Sequence, residues 1–189
     1  IAVGASTGGT IALETVLASL EGADIPPVLI VQHMPEKFTK AFAERLDRVF
    51  SRTIREAANG DRVLNNEVSI APGGRHMRLK QDPSGYVLDV RPGPDVNFHC
   101  PSVDVLFHSV AKHFGGQSVG VILTGMGDDG TAGMREMHSR GAHTIAQDEA
   151  TSVVWGMPGE AVAAGCVTRV LPLGLVGRGI VSACAKVSR

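Results

Sequence analysis

The chain has 189 residues, 43% hydrophobic and 20% charged, and its 18 Lys+Arg against 19 Asp+Glu leave a formal charge of −1. That balance excludes general disorder and gives no basic surface for nucleic acid or for a polybasic membrane anchor. The longest apolar runs fall far below the roughly 20 residues of a membrane helix, and Cys100, Cys166 and Cys184 form no CxxC pair, so the expectation is a reducing, cytoplasmic setting with thiols as packing residues.

Residues 1–5 form an apolar strand-like run that leads into Gly8-Gly9, followed by Ile11, Leu13, Val16, Leu17 and Leu20 at helical spacing. Residues 28–32 read as a second buried strand. Phe38, Ala41, Phe42, Leu46 and Val49 then mark an amphipathic helix. Residues 53–90 differ: short runs at 68–71, 77–80 and 86–90 are broken by Asn59-Gly60-Asp61, Pro72-Gly73-Gly74 and Pro83-Ser84-Gly85, which predicts strands with an inserted β-hairpin. Pro101-Ser102 starts a helix whose Val103, Leu106, Phe107, Val110 and Phe114 share a face. A third buried strand at 119–124 precedes a Gly-rich turn and a helix near 132–139. Strands at 143–147 and 167–171 and a helix at 173–187 complete the pattern. Strands that alternate with helices and lack polar alternation predict a doubly wound α/β fold, with a mostly parallel sheet covered on both faces. The 23 Gly suit its many tight strand-to-helix turns. No internal repeat or linker divides residues 1–189, so a single domain is expected. The start at Ile1, without Met and inside a strand-like run, reads as a fragment of a longer protein.

The first turn, Gly4-Ala5-Ser6-Thr7-Gly8-Gly9-Thr10, admits several readings. A phosphate-binding P-loop needs Lys where Thr10 stands. A dinucleotide fingerprint needs Gly where Ser6 stands and an acid at the tip of the second strand. That strand ends Val31-Gln32-His33, and Asp24 lies in the loop before it. The third reading is GxSxG, in which small residues let a sharp strand-to-helix turn project a nucleophilic serine and the helix N-terminus offers N–H groups to an oxyanion. Against it stands a plain N-cap role for Ser6.

A serine nucleophile needs a base and a group to orient that base. His33 ends the second strand, 27 residues after Ser6, and Asp128 and Asp129 follow the third buried strand. In an open parallel sheet these strand ends border one crevice, the usual place for a site. Ser6, His33 and Asp128 or Asp129 therefore form a candidate triad. Its chain order differs from the Ser…Asp…His of α/β-hydrolases.

Gly4-Ala5-Ser6-Thr7-Gly8-Gly9, Gln32-His33-Met34-Pro35, Ala71-Pro72-Gly73, Arg75-His76-Met77, Pro101-Ser102-Val103-Asp104-Val105-Leu106-Phe107, Leu123-Thr124-Gly125-Met126-Gly127 and Gly156-Met157-Pro158 together resemble the catalytic domain of the CheB-type chemotaxis receptor methylesterases, in order and over essentially the whole chain. The resemblance implies a serine hydrolase that removes methyl esters from glutamyl side chains of chemotaxis receptors, with deamidation of receptor glutamines as a second activity. It implies Ser6 as nucleophile, His33 as base and Asp129 as acid, although Asp128 stands where the family more often has Asn. It also implies a backbone oxyanion role for Met126, beside the Thr7 N–H that follows the nucleophile. His76, on the loop Gly73-Gly74-Arg75-His76, is the alternative base and is expected to line the site. No cofactor or metal is expected, and no partner beyond the receptors and the N-terminal receiver domain that the family usually carries. His108 and His113, five apart on one helix, are read as solvated or structural. Trp155 and Met157-Pro158 are read as pocket wall, and Met34, Phe38 and Trp155 as exposed apolar residues around the crevice. Two other readings stay open: a non-catalytic nucleotide-binding domain using the first turn, and peptide-bond cleavage by the same triad.

Overall fold

The computed structural model describes residues 1–187, so the last two residues of the expected 1–189 domain lie outside the described residues. Seven strands form one fully parallel sheet in the order β3-β4-β2-β1-β7-β8-β9. They are β1 (Ala2–Ala5), β2 (Val28–Gln32), β3 (Ile54–Glu56), β4 (Val68–Ile70), β7 (Val119–Ile122), β8 (His143–Gln147) and β9 (Arg169–Leu171). The hairpin β5 (His76–Asp82) and β6 (Gly85–Arg91) stands apart as an antiparallel pair. The segment expected to be an insertion is thus split: β3 and β4 extend the main sheet, and only β5 and β6 form the hairpin. β3, three residues long, is too short to show a period in sequence.

Alternate strand residues feed two cores. Val3, Ala5, Ile30 and Val121 pack under α1 (Gly9–Ser19), α2 (Phe38–Val49) and α6 (Leu173–Val187). Ala2, Leu29, Val31 and Ile122 pack under α3 (Val103–Phe114), α4 (Thr131–Ser139), α5 (Met157–Ala163) and the hairpin. This is the doubly wound arrangement, both faces covered. Helix α5 was not anticipated. It is seven residues long, with Pro158 in its first turn, which is less than the window a helical period needs.

β1 pairs with β2 on one side and β7 on the other, so the chain reverses its direction of winding here. Such a switch point opens a crevice at the carboxyl ends of the strands. Ala5 lies opposite Gln32, and the His33 N–H donates to the Ala5 carbonyl at 3.0 Å, while the Ser6 N–H donates to the Thr124 carbonyl at 3.0 Å. The residues that leave β1, β2 and β7 are therefore held at one level. Gly4 sets the third wall. A Cβ there would lie 2.3 Å from Val103 Cγ1, so only glycine lets the N-terminus of α3 settle against β1.

Candidate active site

Asp129 follows β7 and is fully buried. Its carboxylate accepts from four groups within normal reach: Ser102 Oγ (2.7 Å), the Val103 N–H (2.7 Å), the Asp104 N–H (3.2 Å) and His33 Nε2 (2.8 Å). Three of these donors belong to the opening of α3, where Ser102 is the N-cap residue but turns its hydroxyl to Asp129 rather than to its own helix. The first turn of α3 thus serves as an anion site for a carboxylate brought from another element. Burial pushes the Asp129 carboxyl up, but the bonds from His33, Ser102, Val103 and Asp104 outweigh it and hold the group below the usual carboxylate range. Asp128, next to it, is exposed.

Because Asp129 takes Nε2, the proton on that nitrogen is fixed and Nδ1 is the basic nitrogen of His33. Nδ1 is buried and has no hydrogen-bond partner among the described residues. Ser6 stands at the neighbouring strand end. No hydrogen bond joins the Ser6 hydroxyl to His33 among the described residues, an open geometry common in enzymes without substrate. Gly8 (φ 80°), not Ser6, is the N-cap of α1, so the capping role considered for Ser6 is taken by a left-handed glycine and the serine hydroxyl is left for other use. The buried Gln32 amide donates to the carbonyls of Ser6 (3.0 Å) and His33 (3.1 Å) and ties the two turns together.

The N–H groups of Thr7 and Met126 lack a backbone acceptor among the described residues. Met126 is 71% exposed. His76 departs from expectation. It is buried, its Nε2–H donates to the Pro94 carbonyl at 2.8 Å, and Nδ1 accepts the Ser102 N–H at 3.3 Å. Both ring nitrogens are spent behind the α3 N-terminus, so His76 supports the Asp129 cradle and does not line the crevice. His108 pairs with Glu136 on the surface. Phe38 is exposed, Met34 packs partly on the core, and the Trp155 indole donates to the Gln147 carbonyl at 3.1 Å.

Sequence reasoning missed His99. Its ring stacks on His33 with centroids 3.7 Å apart and planes 9° from parallel. His33, His99 and Asp129 place three potential ligand atoms within 4.8 Å of one another. The parallel rings send their in-plane lone pairs side by side rather than to one point, which is a poor chelate for a metal. The only signal in sequence was His99's proximity to Pro101-Ser102, which has no period to reveal it. The Asn97 amide bonds the Asp104 carboxylate and approaches Asp129 at 3.4 Å, anchoring the turn that carries His99.

The family model described as CheB methylesterase matches residues 1–180. The chain belongs to the CheB methylesterase family. A Dechloromonas aromatica relative, named protein-glutamate methylesterase/protein-glutamine glutaminase 2, is 60% identical over 173 residues, which cover 92% of this chain and 48% of the relative. A Geobacter metallireducens relative, protein-glutamate methylesterase/protein-glutamine glutaminase 3, is 53% identical over 184 residues, 97% of this chain and 52% of the relative. The chain spans about half the length of the curated relatives it matches. Among solved structures, the CheB methylesterase catalytic domain of Thermotoga maritima superposes with a TM-score of 0.91 at 35% identity, covering 96% of each chain. The doubly wound sheet is thus the fold of a CheB catalytic domain. No helix among the described residues is long and apolar enough to cross a membrane.

Proposed function

We propose that this chain hydrolyses methyl esters of glutamyl side chains on chemotaxis receptors, releasing methanol, and that the same site deamidates receptor glutamines. The observation that carries the proposal is the buried His33–Asp129 pair at 2.8 Å, at the strand end beside Ser6, in a CheB-family chain. Ser6 Oγ attacks the ester carbonyl while His33 Nδ1 takes its proton. Asp129 keeps the other proton on Nε2 and stabilises the imidazolium. The N–H groups of Thr7 and Met126 are the proposed donors to the oxyanion. His33 then protonates the departing methanol, or ammonia from a glutamine. Water, deprotonated by the same nitrogen, releases the glutamate.

Methanol release from methylated receptor tests this directly. The parent chain is expected to release it, and Ser6→Ala to lose all but a trace. Failure of the parent to release methanol, or equal release by Ser6→Ala, overturns the reading. The nucleotide-binding alternative predicts a raised Tm with NAD or ATP, which the hydrolase reading does not. The proposed partners are the receptors and an N-terminal receiver domain docked over the crevice, in the cytoplasm. The isolated chain is expected to be active, and rejoining an unphosphorylated receiver to inhibit it. Methanol release undiminished by the rejoined unphosphorylated receiver would contradict that arrangement.

A further inference from the structure

Residues 96–99 form a two-residue hairpin turn. Val96 and His99 exchange two backbone hydrogen bonds of 3.0 Å each, and the residues between them, Asn97 (φ 50°) and Phe98 (φ 63°), are both left-handed. This turn geometry favours Asn followed by Gly. Asn97 obeys the rule and Phe98 breaks it. A bulky side chain in this region is a genuine outlier that persists only where the surroundings dictate it. Here they do: Asn97 is tied to the Asp104 carboxylate, and His99 is stacked on His33. The ring so placed covers no core, because Phe98 is 96% exposed. It borders a surface cleft of about 360 Å³ that is lined by His33 together with Met34, Pro35, His99 and Pro101. An aromatic that packs on nothing, held in a costly conformation beside the base, contributes nothing to the folded chain by itself.

We infer that Phe98 is a specificity residue, an aromatic contact for the stretch of receptor polypeptide that flanks the reacting glutamyl side chain. The inference rests on the activity proposed above. A glutamyl side chain has only two methylenes between backbone carbon and carboxyl. A protein whose ester carbonyl reaches Ser6 must therefore bring its own backbone against the residues bordering His33, and the cleft leading out to Phe98 is such a border. Large rigid aromatics are the side chains that give most binding at such contacts. The anchored turn keeps the ring in place before substrate arrives.

The test compares the parent chain with Phe98→Asn and Phe98→Tyr, measuring methanol release from methylated receptor together with Tm. Asn tolerates the left-handed conformation, so Phe98→Asn removes the ring and relieves the backbone at once. Its KM for receptor is expected to rise about tenfold, with kcat little changed and Tm no lower than the parent's. Phe98→Tyr, which keeps the ring, is expected to retain the parent KM. An unchanged KM in Phe98→Asn overturns the inference. So does a lower Tm or a fall in kcat at constant KM, because either makes Phe98 part of the scaffold that holds His99. No methanol from the parent is a different failure: it overturns the activity reading, and this inference falls with it.

Discussion

The floor of the crevice and its rim are built to opposite rules. On the floor, Asp129 is fully buried and each of its acceptor positions is used, with donors from the N-cap and first two residues of α3 and from His33. On the rim, Phe98 is 96% exposed, and Met126 in the turn after β7 is 71% exposed. A buried carboxylate is tolerable only when fully bonded, and once bonded it holds its imidazole in one orientation. Exposed apolar side chains cost little on a scattered surface and are free to meet a partner. Under the function proposed above, the contrast gives chemistry to the floor and recognition to the rim.

That division breaks most visibly at the base. His33→Ala is expected to lower the rate of methanol release about 10⁶-fold, as in other serine triads, with the protein still folded by circular dichroism. Ser102→Ala removes one charge-assisted bond, about 1.5–3 kcal/mol of support for the Asp129 carboxylate. The expected fall in kcat is about 10–100-fold, with little change in KM; a parental kcat would show that the α3 cradle does not orient the base.

The floor also sets an acid limb of stability. A carboxyl held below its usual range contributes stability that is fully present above the unfolded-state pKa and is lost as pH falls through the depressed value. For Asp129 the loss therefore starts near pH 4 and continues below it. Asp104 has the opposite sign: burial and the neighbouring Asp129 push its carboxyl up against the bonds from Gly133 and Asn97, so its contribution rises as pH falls. Urea titrations of the parent and Asp129→Asn across this range isolate the first effect. The parent curve is expected to fall more steeply with acid, and parallel curves would deny Asp129 its bonded state. The smallest effect belongs to the exposed surface: Phe38→Ser is expected to change stability by no more than about 0.5 kcal/mol, read as Tm.

The legible parts of the molecule were those with a period or a chemical necessity. Val28–Gln32, Phe38–Val49 and His143–Gln147 coincide with their expected bounds, because each carries an apolar pattern of its own. Ser6, His33 and the Asp128-Asp129 pair were legible as residue types at matching strand ends, the family resemblance alone singled out Asp129, and the parallel register brings those ends to one level. What stayed hidden depends on contacts across elements. The α3 N-terminus reads in sequence as an ordinary helix start, and nothing local says that its N–H groups face Asp129. His76 looked like a site residue because a loop histidine is chemically suitable, but its burial follows from packing beneath Ser102. His99 stacks on His33 through a turn whose conformation Phe98 does not advertise.

The central claim is that Asp129, not its exposed neighbour Asp128, orients the base. Methanol release from methylated receptor by Asp128→Asn and Asp129→Asn tests it most directly. The account predicts a rate near the parent's for Asp128→Asn and a fall on the order of 10⁴ for Asp129→Asn. A crippled Asp128→Asn beside a nearly parental Asp129→Asn would contradict it.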